Sequence, residues 1–87
     1  MKKVTYDGLT IDVDENALDN MELLEAIELS DENGIYTTKA VRLFFGDENK
    51  KKIYDHFRDP ETNRVPVEKV IDFMLEAIGQ LGDDGKN

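Results

Sequence analysis

The spacing of apolar and polar positions changes along the chain, and each change marks an element. From Lys3 to Val13 the two kinds alternate around Asp7-Gly8. Asp-Gly suits a two-residue type I′ turn, which needs positive φ at both positions, so this stretch predicts a hairpin. The turn sets the register: Tyr6 opposite Leu9, Val4 opposite Ile11, Lys3 opposite Asp12. Val4, Tyr6, Leu9, Ile11 and Val13 then share one side, and Thr5, Thr10 and the Lys3–Asp12 pair the other. A lone hairpin is marginal in water, so its apolar side must pack on the rest of the chain.

Beyond Asp14 the spacing becomes helical, with apolar residues at i, i+3 and i+4. Met21, Leu23, Leu24 and Ile27 predict the buried face of a helix over about 20–30, with Glu22, Glu25 and Glu28 left wet. Asp19 is the expected N-cap, Glu22 its capping-box partner, and Leu18 a staple to Leu23. Asp31-Glu32-Asn33-Gly34 reads as a loop. Ala40, Val41, Phe44 and Phe45 predict a helix over 38–45, capped by Thr37 or Thr38. Ile53, Tyr54 and Phe57 predict another over 47–58. Gly46 ends the first of these and Asp47 caps the second. Pro60 closes the second, and Pro66 suits the opening of a last helix over 66–81. Val67, Val70, Ile71, Met74, Ala77, Ile78 and Leu81 are its stripe, with Phe73 beside it. The expected fold is mainly α, a four-helix cluster with a small N-terminal hairpin, α+β at the margin. It is one domain over residues 1–82, followed by a disordered tail at 83–87.

Composition narrows the function classes. Of 87 residues, 36% are charged, and the formal net charge is −9. That opposes wrapping a nucleic-acid backbone. There is no cysteine, hence no disulfide and no thiolate zinc site. No apolar run reaches the length of a membrane span, and the first residues lack the apolar segment of a signal peptide. The expected location is the cytoplasm. Asp14 to Glu32 holds eight acidic residues and no basic one, whereas Thr38 to Arg58 holds six basic residues and three acidic ones. Such blocks suit docking to each other, within a molecule or between copies, or remain solvated faces.

The chemistry-bearing residues point away from catalysis. His56, the single histidine, lies off the Ile53–Tyr54–Phe57 side and faces solvent, with no partner placed to orient its ring. Asp12-Val13-Asp14-Glu15-Asn16 resembles the start of an EF-hand loop. It fails at Ala17, where glycine is needed, and at Leu23, where the bidentate glutamate belongs. No nucleophile elbow, phosphate loop or zinc-protease motif is present. No enzyme activity, cofactor or metal is expected. Lys50-Lys51-Lys52 reads as a solvated face or a contact for an acidic partner. Phe44, Phe45, Tyr54, Phe57 and Phe73 are expected mostly in the core, and the alternatives for such a number in a small domain are full burial or a surplus left at the surface. Phe45 at the corner and Phe73 outside the main stripe are the candidates for exposed contacts.

Three stretches in order carry a family resemblance: TYDGLTIDVDENALDNMELLEAIEL, VRLFFGDENKKKIYDHFRD and NRVPVEKVIDFMLEAI. The chain resembles the small tail assembly chaperones of long-tailed phages and prophages of Gram-positive bacteria, over about Thr5 to Leu81. The resemblance implies a non-enzymatic protein that coats the tape measure protein, recruits major tail protein, and is absent from the finished tail. It also implies a longer form made by ribosomal frameshifting. Gly85-Lys86-Asn87 is compatible with the codons GGA-AAA-AAY, which contain a slippery heptamer, and the nucleotide sequence decides this. The expected client or self contacts are Phe45, Lys50, Lys51, Lys52 and Phe73, with Glu22, Glu25 and Glu28 on the opposing acidic surface. Weak homo-oligomers are expected, with no nucleic acid and no membrane as partner. The alternative is a small acidic regulator or adaptor that binds one globular protein.

Overall fold

The computed structural model describes residues 1–85. Two antiparallel strands, β1 (Lys2–Tyr6) and β2 (Leu9–Val13), open the chain. Asp7 at φ 53° and Gly8 at φ 80° make the turn, and Tyr6↔Leu9, Val4↔Ile11 and Lys3↔Asp12 pair as the turn dictates. Lys3 Nζ lies 3.3 Å from Asp12 Oδ1, and the Thr5 and Thr10 hydroxyls are 2.8 Å apart. Val4, Ile11 and Val13 are buried on the opposite side.

Three helices follow: α1 (Met21–Glu32), α2 (Thr37–Phe57) and α3 (Val67–Gly85). The expected four become three because 38–45 and 47–58 belong to one element. That element is broken at Gly46, whose φ 80° and ψ 166° are non-helical. Only glycine takes this backbone readily, so the corner between the two arms is written locally. A 3-10 turn, Gly34–Tyr36, leads into α2. Neither Thr37 nor Thr38 caps the helix. Tyr36 holds the cap position without a side-chain bond, Thr37 is buried, and Thr38 Oγ1 donates to the Ile35 carbonyl at 3.4 Å.

The start of α1 also differs from expectation. Asn20, not Asp19, is the N-cap: its backbone is extended and its Oδ1 accepts from Glu22 N–H at 3.0 Å. Asp19 is instead drawn into a turn by its own N–H, which bonds the Asn16 carbonyl. The helix runs through Asp31 and Glu32 to Asn33, which serves both neighbours. Its N–H bonds the Leu29 carbonyl, and its side chain accepts from Ile35 N–H. After α2, Asp59 organises the loop: its side chain accepts from Glu61 N–H and its carbonyl from Asn63 N–H, and its own N–H bonds the Arg64 carbonyl. Val67 opens α3, which continues to Gly85, past the end expected at Leu81 and into the tail expected to be disordered. Lys86 and Asn87 of that tail lie outside the described residues.

The molecule is flat, with extents of 43 × 29 × 18 Å. β1 rests on α3, β2 on α2, and the helices α2 and α3 on each other, whereas α1 touches only α2 and the 3-10 turn. Phe73, fully buried, sits at the centre of a ring cluster. The Phe45, Tyr6 and Phe57 rings stand 5.9, 6.0 and 6.1 Å from it. Edge and tilted contacts of this kind add to area burial.

The hairpin is also gripped by its backbone. With Tyr6↔Leu9 closing the turn, Thr5 and Asp12 point their backbone polar groups away from the partner strand. Gln80 of α3 fills the β1 edge, accepting from Thr5 N–H at 3.3 Å and donating to its carbonyl at 2.8 Å. Asn49 of α2 fills the β2 edge, donating from Nδ2 to the Asp12 carbonyl at 2.7 Å. Both edges of an otherwise open sheet are thereby blunted by helix side chains.

Candidate docking surfaces

The residues expected to meet a partner separate into three groups. Phe45 and Phe73 are core residues, 6% and 0% exposed, and correct the expectation of exposed contacts. The hairpin supplies the cover that sequence spacing could not reveal, by laying Tyr6 against Phe73. Lys51 and Lys52 are exposed, while Lys50 is half-buried and 3.5 Å from Asp47 one turn away. Glu22, Glu25 and Glu28 are exposed on α1. None of the ion pairs described joins the acidic α1 to the basic α2 beneath it.

His56 is exposed, as expected, but its ring has a partner. Its Nε2 is 2.8 Å from the Asp7 carbonyl and 3.3 Å from Asp7 Oδ2, and its ring stands edge-on to Phe57. It ties the hairpin tip to α2. Asp14 of the EF-hand-like stretch accepts from Asn16 N–H at 2.9 Å, a local turn contact. Among the described residues no group of three His, Cys, Asp or Glu could hold a metal ion. No helix among them is long and apolar enough to cross a membrane.

Two concavities among the described residues are chemically opposite. A cavity of about 370 Å³ opens between the hairpin's exit and the Gly46 corner. Asp12, Asp14 and Asp19 line it, over a floor that includes Leu43 and Phe44. A groove of about 320 Å³ lies between the start of α2, the end of its second arm, and the approach to α3. Val41, Tyr54, Val65, Val67 and Val70 line the groove, and Arg58 is its charged wall, with its Nη2 3.6 Å from Asp55 Oδ1 and its Nη1 donating to the Asn63 carbonyl at 3.2 Å. The Gly46 corner makes the groove possible, since it folds Tyr54 and Arg58 back toward Val41. Ile35 and Tyr36, 73% and 41% exposed, lie between the lining residues Gly34 and Thr37. Val67 is 62% exposed at the lip.

A second apolar surface lies on α1. Met21 and Leu24, expected in the core, are 76% and 46% exposed; Leu23 is buried as expected, and Ala26 is buried beside it. A helix with one neighbour needs only a narrow stripe, and Met21 and Leu24 fall outside it. Sequence spacing assigned Val67, Val41 and Tyr54 to the core and passed over Ile35-Tyr36. The one available signal was that apolar pair standing beside the Asn33-Gly34 turn, with no helical stripe to absorb it.

The chain matches none of the family models, curated proteins or solved structures with which it was compared.

Proposed function

We propose that this protein is a tail assembly chaperone of a long-tailed phage or prophage of Gram-positive bacteria. It covers the tape measure protein in the host cytoplasm, helps recruit major tail protein, and leaves before the tail is complete. Its work is reversible binding, without bond-making chemistry. The observation that carries this reading is the apolar groove with Val67 exposed at its lip, and with the exposed Ile35 and Tyr36 between its lining residues Gly34 and Thr37, on a chain whose net charge is −9. Exposed apolar surface framed by charge is the mark of a partner site. An amphipathic helix presents side chains at i, i+3, i+4 and i+7, which a groove between helices accepts. The surrounding charge keeps the protein soluble once the client is released.

Co-expression with the tape measure protein from the same gene neighbourhood tests the reading. The wild type should render that protein soluble and co-purify with it, and Ile35→Asp or Tyr36→Asp should lose both effects. A tape measure protein that stays insoluble, or that is solubilised equally by the variants, overturns it. The cavity lined by Asp12, Asp14 and Asp19 favours the adaptor reading, in which a basic site on one globular protein is occupied. A stoichiometric complex with such a protein, unaffected by Ile35→Asp, would support that alternative.

A further inference from the structure

The outward face of α1 and the valine groove are complementary to each other. Met21, Leu24, Glu25 and Glu28 form one row at i, i+3, i+4 and i+7. The two apolar members are exposed, and the two carboxylates take part in none of the ion pairs described. The groove offers the reverse: a floor of Val41 and Val70, 1% and 5% exposed, the open lip of Val67, and the guanidinium of Arg58, which stays 38% exposed beside Asp55 at 3.6 Å and has N–H groups left for a second carboxylate. Arg42, exposed, stands one turn beyond Thr38 on the same face of α2. An apolar pair followed by carboxylates thus matches an apolar floor bordered by arginine.

The Met21 end of the row does not reach the groove within one molecule. Gly34 lines the groove and follows the C-terminal end of α1, while Met21 begins that helix. Twelve residues at 1.5 Å each separate them by about 18 Å.

We propose that the Met21–Leu24 row of one copy docks in the Val41–Val67–Val70 groove of a second copy, with Glu25 and Glu28 facing Arg58 and Arg42. This deepens the coating reading above, on which its biological purpose rests, by naming the contact between neighbouring coat molecules. The patches differ, so the contact is head-to-tail. It leaves one free groove and one free α1 face on a dimer, so assembly continues past two copies, as an open chain or, where the rotation closes, a ring. Two apolar side chains make a small interface, and the net charge opposes close approach of like chains. The chains therefore grow with concentration and dissolve on dilution, as a removable coat requires.

The test uses the chain alone, so its failure leaves client binding standing. Leu24→Asp spoils the row and leaves the groove intact; Val67→Asp spoils the groove lip and leaves the row intact. Both positions are exposed, and an aspartate in the first turn of α3 suits the helix dipole, so both variants fold. In sedimentation equilibrium the wild type should form species beyond the dimer as concentration rises, and each variant alone should remain a monomer. An equimolar mixture of the two should give a dimer and nothing larger, because only one intact row and one intact groove can meet. A wild type that stays monomeric, a mixture without the dimer, or a symmetric dimer that survives Leu24→Asp overturns the proposal.

Discussion

The hairpin and α1 both rest on α2, and they are held there by opposite means. The hairpin touches α2 and α3 together, buries Val4, Ile11 and Val13, and has its backbone bonded by Gln80, Asn49 and His56. α1 has one helical neighbour and buries Leu23 and Ala26. The hairpin thus spends its apolar residues on the fold, and its edges are filled. α1 keeps apolar residues in reserve. In a flat molecule the element with the fewest neighbours keeps the most apolar surface uncovered, and the proposed contact between copies would cover it.

The strongest way to break the contrast is Phe73→Ala, which empties the ring cluster joining hairpin and helices. Truncating a buried phenylalanine costs about 3–5 kcal/mol. Total stability here is about 4–13 kcal/mol, from roughly 0.05–0.15 kcal/mol per residue. Urea denaturation should therefore show a large fall in midpoint, or a chain unfolded without urea. An exposed Phe73 would instead give a change too small to resolve.

Gly46→Ala is next. Space is open where the methyl would sit, so the cost is that of backbone conformation alone. Holding a non-glycine residue at φ 80° and ψ 166° costs about 1–3 kcal/mol. The corner also positions the groove, so this variant should lose stability and self-association together. A variant with unchanged stability would show that the two arms do not need this backbone.

The edge bonds set a smaller effect. Gln80→Ala leaves the Thr5 N–H and carbonyl to water and should cost about 0.5–1.5 kcal/mol. Asn49→Ala should do the same at Asp12. Hydrogen exchange gives the sharper readout: Thr5 N–H should lose protection in Gln80→Ala, while α1 amides exchange as in the wild type. Equal changes in both regions would mean that they open as one unit.

How much was legible in the sequence follows the same division. The hairpin register was readable because Asp7-Gly8 fixes it locally, and the Gly46 corner because glycine alone suits that backbone. The burial of Phe73 was not readable, because Tyr6 covers it from more than 60 residues away in sequence, and Phe45 is buried against Phe73 in turn. The outward turn of Met21 and Leu24 was hidden for a related reason. Spacing says which residues share a helical face, but not how many neighbours that helix will have. The groove draws on three separate stretches that meet only because α2 bends, so no local pattern announced it.

The smallest expected effect is the most discriminating. Met21→Ala and Leu24→Ala, if these side chains serve only a partner, should shift stability by no more than about 0.5 kcal/mol, as surface changes do. Were they core residues, as helical spacing alone implied, each would cost about 2–5 kcal/mol. Urea midpoints separate the two cases without ambiguity. The same pair of variants should weaken the concentration-dependent association that Phe73→Ala could affect only by unfolding the chain. A change that leaves the fold untouched yet removes the contact assigns the α1 row to binding. A change that lowers both together would return α1 to the same structural role as the hairpin.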